Sequence, residues 1–247
     1  MLLSEKIRQL VIAIGGYKLM ISMKNVYKKY PNGIVAANGF NVEIKQGEFV
    51  YVVGPSGAGK STFIKMMYRE ERPTSGDIIV NGINLATLKS KRVPYLRRQI
   101  GVVFQDFKLL PRLNVYENVA FALEVIEESP KVIRKRVMEV LDLVGLKHKA
   151  RMFPTELSGG EQQRVSIARS IVNIPKVMIA DEPTGNLDPE TSWDIMNLFE
   201  EINRRGTTII MATHNKEIVN TNTHRVIAVE GGLVVRDEVG GAYGYES

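Results

Sequence analysis

The chain has 247 residues, a formal net charge of +6 and no cysteine. That length holds one large α/β domain with a buried core, and the absence of thiols excludes a disulfide framework or a thiolate metal site. No apolar run approaches the ~18 residues of a membrane-spanning helix, Leu10-Val11-Ile12-Ala13-Ile14 being far too short, so work at a membrane would require something else to hold the protein there.

Much of the positive charge falls in Lys89-Ser90-Lys91-Arg92 with Arg97-Arg98, and in Arg134-Lys135-Arg136. Such runs are solvated faces, or they attract anionic lipid or nucleic acid. Residues 1–19 show neither a long apolar core nor a small-residue cleavage site. They are expected to be an N-terminal extension of unknown role, with Met20 and Met23 as alternative starts. From Ile21 to Glu48 the pattern is strand-like and broken at Pro31-Asn32-Gly33 and Gln46-Gly47, with Val42 and Ile44 pointing inward, which predicts a small antiparallel sheet. Tyr30, just before the first turn, is either an ordinary packed tyrosine or an aromatic that stacks on a purine, a contact worth about 1–3 kcal/mol.

The apolar run Phe49-Val50-Tyr51-Val52-Val53 leads into Gly54-Pro55-Ser56-Gly57-Ala58-Gly59-Lys60-Ser61-Thr62 and an apolar-periodic segment from Phe63 to Tyr68. Strand, glycine-rich loop and helix is the context of a phosphate loop. Glycines let backbone N–H groups turn inward around a polyphosphate, and the helix presents its positive end to the same anion. Lys60 would reach the β- and γ-phosphates, and Ser61 would ligate Mg²⁺. The plainer alternative is a glycine-rich turn that only caps a helix.

Asp77 to Val80 and the turn Asn81-Gly82 predict a hairpin. Ile100 to Phe104 is a short strand ending at Gln105, and ligands of open α/β sheets lie at such ends. Helical spacing follows over Val115–Glu128 and Val132–Val144, the second stopped by Gly145 and carrying only a packing stripe. A third helix begins at Gly159, where Ser158 and Glu161 form a capping box. Capping does not explain two glycines, Gly159 and Gly160, in the first turn, since each destabilises a helix by about 0.5–1 kcal/mol relative to alanine; a second anion site does.

Val177 to Ala180 reads as a buried parallel strand ended by two carboxylates. Asp181 is the expected outer-sphere Mg²⁺ partner and Glu182 the expected general base. After the tight loop Thr184 to Asp188, a helix is predicted from about Thr191 to Arg204. Thr207 to Ala212 is the next strand, with His214 just beyond its end. Arg225–Val229 and Leu233–Arg236 flank Glu230-Gly231-Gly232 as a hairpin. The tail from Gly240 to Ser247 carries no readable signal.

In this order, the loop GPSGAGKST, Gln105, the stretch LSGGEQQ, the strand VMIADE, the loop GNLD and His214 resemble the nucleotide-binding domain of ATP-binding cassette (ABC) proteins, over roughly residues 20–238. The resemblance implies an α/β P-loop NTPase core with a small antiparallel β subdomain and a helical subdomain at about residues 106–173, followed by a tail at 239–247. DEPTGNLDP and VVFQDFKLLPRLNVYENVAFAL resemble the subgroup of FtsE-type cell-division, lipoprotein-release and macrolide-export ATPases, the FtsE type above all. Glu161 stands where many family members carry glutamine, and the segment before Met20 departs from the pattern.

What the resemblance implies is an ATP-hydrolysing subunit using ATP and Mg²⁺ and releasing ADP. Two copies would pack head to tail, each ATP lying between the phosphate loop of one and Ser158, Gly159 and Gly160 of the other. Tyr30 would stack on adenine, Gln105 would bridge Mg²⁺, the attacking water and the helical subdomain, His214 would orient the γ-phosphate, and Asp188 would couple the two sites. The implied partner is a separate integral membrane subunit, of FtsX type for the cell-division member. It would hold the protein at the cytoplasmic face of the cell membrane and control cell-wall hydrolases on the far side. A nucleic-acid-associated ABC ATPase is the rival class. No nucleic acid is expected, because there is no long coiled coil and only one cassette.

Overall fold

The computed structural model describes residues 18–244. The first seventeen residues of the expected extension, and Tyr245 to Ser247, lie outside that range. In chain order the first elements are β1 (Leu19–Lys29), β2 (Val35–Lys45), β3 (Phe49–Val53), α1 (Lys60–Met67), β4 (Ser75–Val80), β5 (Ile83–Asn84), α2 (Val93–Arg97) and β6 (Ile100–Phe104). There follow α3 (Val115–Glu124), α4 (Pro130–Leu143), α5 (Gly159–Ile171), β7 (Val177–Asp181), α6 (Pro189–Arg204), β8 (Thr208–Ala212), α7 (Lys216–Thr221), β9 (Arg225–Glu230) and β10 (Leu233–Val239).

Strands β2-β1-β4-β5 form an antiparallel sheet in that order, and β10-β9-β3-β8-β7-β6 form a larger one in which only β10 runs antiparallel to its neighbour. The period-2 pattern of β2 buries Phe40, Val42 and Ile44 while Asn41, Glu43 and Lys45 face water. Met20 and Met23 are buried positions of β1, which begins at Leu19, earlier than the sequence pattern suggests. Helix α1 lies between the sheets, with Thr62, Phe63, Ile64, Met66 and Met67 all buried and Phe63 meeting Phe40 edge-on at 5.6 Å. A helix buried on nearly every side is held by packing, so the loop before it is fixed to a rigid body.

The other face of the large sheet is covered by α6 and α7 through Ile195, Phe199, Ile202, Ile218 and Val219. Helices α3 and α4 build a separate core around Val119, Leu123, Val137 and Leu141. Helix α5 joins the two: Val165, Ala168 and Val172 just beyond its end belong to the helical core, whereas Ile167 and Ile171 pack on the sheet. Helix boundaries differ from the spacing prediction, α4 running over Pro130–Leu143 and not Val132–Val144. Helix α3 stops at Glu124, short of Glu128, because Glu127 turns to φ 61. Helix α6 begins at Pro189, not Thr191, because the Asp188 carboxylate accepts the Thr191 N–H at 2.9 Å and proline suits the first helical position.

Candidate functional site

Neighbouring strands β3, β8, β7 and β6 run parallel, so their carboxyl ends open on one edge. The register sets Val52 against Ala212, Ala212 against Asp181 and Asp181 against Phe104. The residues that follow are the phosphate loop, Thr213-His214, Glu182 and Gln105. With strands ~4.8 Å apart these ends span about 15 Å, close enough for residues from all four to line one site. Periodicity alone does not give this sheet order, yet it is what gathers the expected residues.

Helix α1 starts at Gly59 with φ 111 and no side-chain cap, whereas Asn114, Ser158, Asp188 and Asn215 each cap the helix they precede. Its first-turn N–H groups are therefore left to another acceptor, such as an anion. The loop also runs against backbone: a Cβ on Gly54 would lie 2.0 Å from the Val229 carbonyl oxygen, and one on Gly59 would lie 2.3 Å from that of Ala36. Lys60 Nζ donates to the carbonyls of Gly54 (2.8 Å) and Pro55 (3.1 Å). Tyr30 reaches the far end of the loop, its hydroxyl 3.1 Å from Thr62 Oγ1, with Lys28 Nζ 4.7 Å from the ring centre.

Asp181 is partly buried, and its pKa is pushed up first by that burial and then by the neighbouring Glu182 charge. Lys65, Lys60 and a hydrogen bond with Ser61 act in the opposite direction without cancelling it. A carboxylate in that condition, beside the Ser61 hydroxyl, suits a hard cation. Among the described residues no group of three His, Cys, Asp or Glu could hold a metal ion alone. Magnesium fits such a sparse oxygen set, because it keeps several waters and takes the rest of its shell from phosphate.

Glu182 has φ 51, a left-handed backbone that non-glycine residues rarely adopt and that recurs at functional sites. Its Oε2 accepts from His214 Nδ1 at 2.7 Å and from the His214 backbone N–H at 3.2 Å. The His214 side chain is otherwise 64% exposed. Glu182 and His214 border a cavity of about 180 Å³ together with Thr184, Trp193 and Thr213. Gln105 is paired with Asn186 in both directions, Nε2 to Oδ1 at 3.2 Å and Asn186 Nδ2 to the Gln105 carbonyl at 3.1 Å. Sequence reasoning had given Asn186 no role; its place in the short loop after the acidic pair was the available signal.

The start of α5 lies on a different face. Ser158 Oγ accepts from the Glu161 N–H at 3.3 Å, and the Glu161 carboxylate accepts from the Ser158 N–H at 3.0 Å, the reciprocal box that the sequence predicts. Lys149, 2.5 Å away, is the main cause that holds the Glu161 carboxyl below its ordinary range, and Ser158 adds to it. Among the described residues no hydrogen bond joins Ser158 to the phosphate loop. Close packing gives one of the two glycines a reason besides the expected anion site. A Cβ on Gly160 would lie 2.3 Å from Thr191 Cγ2, so close packing of α5 on α6 accounts for that glycine, while Gly159 meets only ordinary contacts such as Leu187 at 3.5 Å. Asp188 is the exposed N-cap of α6, its pKa lowered chiefly by its bond with Thr191. Gln163, fully buried, ties α5 to the acidic turn through a 2.6 Å bond to the Pro183 carbonyl, a contact with no marker in the sequence.

The phosphate loop and, two strands along, an acidic pair with a histidine between them define a nucleotide-hydrolysing P-loop protein. Comparison with known proteins agrees: the family described as ABC transporter matches residues 37–185. The chain belongs to the ABC transporter family, as one of its ATPases. It is 73% identical over 225 residues to the cell division ATP-binding protein FtsE of Bacillus subtilis, covering 91% of this chain and 99% of that one. The FtsE of Escherichia coli is 47% identical over 213 residues, 86% of this chain and 96% of its own. Among solved structures, a dimeric post-hydrolysis state of the ATP-binding cassette MJ0796 bound to ADP and Pi superposes with a TM-score of 0.80 at 38% identity, covering 89% of this chain and 98% of that one.

Proposed function

We propose that this chain is the ATPase subunit of an FtsE-type cell-division complex, docked on an FtsX-type integral membrane subunit at the cytoplasmic face and driving control of peptidoglycan hydrolases beyond the membrane. The observation that carries this reading is the 73% identity to a cell-division FtsE along 99% of that protein's length. No described helix is long and apolar enough to cross a membrane, so the membrane contact is assigned to the partner.

In this reading ATP binds with its phosphates in the loop from Gly54 to Thr62, Lys60 exchanging its loop carbonyls for phosphate oxygens and Tyr30 stacking on adenine. Ser61, Asp181 and Gln105 would hold Mg²⁺, directly or through water. When bound there, the ion neutralises the charge that develops on the transferring phosphoryl group. Ser158, Gly159 and Gly160 of a second copy close over the γ-phosphate, in keeping with the dimer of the MJ0796 cassette. Glu182 Oε takes the proton of the attacking water while His214, held by that same carboxylate, lies beside the γ-phosphate and orients it. Asp188, at the head of α6, links one site to the other. ATP acts as glue and hydrolysis as release.

The test is phosphate release by the purified chain with and without its membrane partner, recovered by co-purification from detergent-solubilised membranes. Glu182→Gln is expected to bind ATP and to lose turnover by about 10²–10³-fold, as when one transition-state group is removed. A normal rate in that variant overturns the assignment of the base, and recovery of a lipoprotein-release or drug-export subunit overturns the cell-division reading.

A further inference from the structure

The segment beyond β10, which the sequence leaves unread, is tied into the site. Gly240 turns the chain back at φ 70, and Gly241 packs so closely that a Cβ there would meet Val226 at 3.3 Å. Arg236 on β10 donates to the carbonyls of Gly244 (2.7 Å) and Ala242, which clamps this return segment to the sheet. At its other end the Tyr243 N–H donates to Asn220 Oδ1 at 2.7 Å, and Lys216 Nζ lies 5.7 Å from the Tyr243 ring centre. Asn220 and Lys216 both belong to α7, and Tyr243 packs against the apolar cluster beneath it.

Helix α7 starts directly after His214. Asn215 caps it by accepting the Ile218 N–H at 3.1 Å, while its own N–H is held by Thr213 Oγ1 at 3.0 Å. Six residues are too few for an independently stable helix, so α7 depends on its packing: Ile218 and Val219 are buried in the apolar cluster on the large sheet, against which Tyr243 also packs. The His214 side chain is mostly exposed and is anchored at Glu182, so its placement depends on the backbone that carries it. Tyr243 also shares a cavity of about 410 Å³ with Gly54, Pro55 and Lys216, at the root of the phosphate loop. Burial, and next the Glu182 charge, raise the pKa of its hydroxyl, which puts the ring within electrostatic reach of the acidic pair.

We propose that residues 240–244 form a strap and that Tyr243 is a positioning residue for His214, fixing α7 through Asn220 and Lys216 so that the imidazole meets Glu182 and the nucleotide in working register. This rests on the reading of His214 as a group that acts on the γ-phosphate. The phosphate loop is held by β3, β9 and α1, independently of the strap, so loosening the strap should alter turnover and leave ATP binding in place.

The experiment measures steady-state phosphate release by the full chain across ATP concentrations, with binding of an unhydrolysable ATP analogue as the check on folding. Tyr243→Ala is expected to lower kcat by about ten- to a hundredfold, the cost of a small misplacement of a catalytic group, with KM changed by less than about twofold. Tyr243→Phe keeps the ring and the N–H and restores wild-type kcat. Asn220→Ala removes the acceptor of the Tyr243 backbone N–H, a second contact of the strap that Tyr243→Ala leaves in place, so it is expected to lower kcat as well, and the double variant is expected to fall at least as far as either single one. If Tyr243→Ala fails to bind the analogue, Asn220→Ala carries the same test. A kcat within about twofold of wild type in the folded variant, or a KM that rises in step with the fall in kcat, overturns the strap. His214→Ala separates the two readings: full turnover there defeats the site assignment itself, whereas lost turnover there with normal turnover in Tyr243→Ala defeats the strap alone.

Discussion

Alanine at Gly54 and alanine at Gly57 are equal changes in composition with unequal expected costs. At Gly57, φ is 77 and a new Cβ meets nothing within 4 Å. The cost there is the left-handed backbone, about 1–2 kcal/mol, less the ~0.4–1 kcal/mol gained by restricting the unfolded chain, so about 1 kcal/mol net. At Gly54, φ is 145 and the Cβ would stand 2.0 Å from the Val229 carbonyl oxygen, whereas close C···O contacts lie near 3.3–3.6 Å. The overlap exceeds an ångström, and neither backbone can withdraw, because β3 and β9 are paired through Val53 and Ala228. Overpacking of that kind adds about 1–3 kcal/mol or more to the backbone strain, for a total of at least about 2 kcal/mol. In a domain of this size 1 kcal/mol moves Tm by about 2–4 °C. Gly57→Ala should therefore melt about 2–4 °C below wild type and Gly54→Ala at least about 4–8 °C below. Circular dichroism melts of the two variants at matched pH and salt decide it. Equal melting points, or Gly57→Ala as the less stable of the pair, would refute the close-approach account of Gly54.

Two further outcomes follow from the site. Because burial and Glu182 raise the Asp181 pKa, the folded protein binds that proton more tightly than the unfolded chain, so stability falls as pH rises from about 4 through the folded value. Asp181→Asn should thus melt above wild type at pH 7 without nucleotide, with the gap closing toward pH 4, and should lose the stabilisation that ATP with magnesium gives the wild type; a lower melt at pH 7 contradicts the assignment. Tyr30→Ala should weaken ATP binding by about 5- to 150-fold, the equivalent of 1–3 kcal/mol of stacking, while Tyr30→Phe, which sacrifices only the bond to Thr62, stays near wild type. Equal weakening in the two titrations would assign the contact to the hydroxyl and not to the ring.

The parts of the site that the sequence discloses are those whose physics is local. The phosphate loop, the box formed by Ser158 and Glu161, and the carboxylates closing β7 each occupy a few consecutive residues, and each owes its form to those residues alone. What escapes is contact across the sheet. Gln105 meets Asn186 because β6 lies next to β7, and Gly160 meets Thr191 because α5 crosses α6. Neither pairing leaves a period or a spacing in the chain. The tail is the extreme case: Tyr243 looks like an isolated aromatic in a glycine-rich ending, and only the hydrogen bond to Asn220 shows what it touches. The early start of α6 is different in kind, since Asp188-Pro189 is a readable N-terminal signal that the apolar spacing beginning further on conceals.

The side chains at the site are not idle. Lys60 is held by two loop carbonyls, Gln105 and Asn186 satisfy each other, and Glu182 carries two bonds from His214. At these side chains a triphosphate therefore exchanges bonds more than it adds them, and an exchanged hydrogen bond contributes only about 0.5–1.5 kcal/mol net. The exchange is directional, however. Drawing Gln105 off Asn186 parts the end of β6, where the helical subdomain departs, from the loop that leads to Asp188. Drawing Lys60 off Gly54 and Pro55 moves nothing but its own side chain. Nucleotide capture by the loop can thus leave the rest of the molecule undisturbed, while engagement of Gln105 necessarily shifts the link to the helical subdomain. In the proposed function, the step expected to communicate with a membrane partner is therefore the one that engages Gln105. Asn186→Ala, which removes the tether in advance, should uncouple ATP turnover from the partner's presence before it impairs ATP binding.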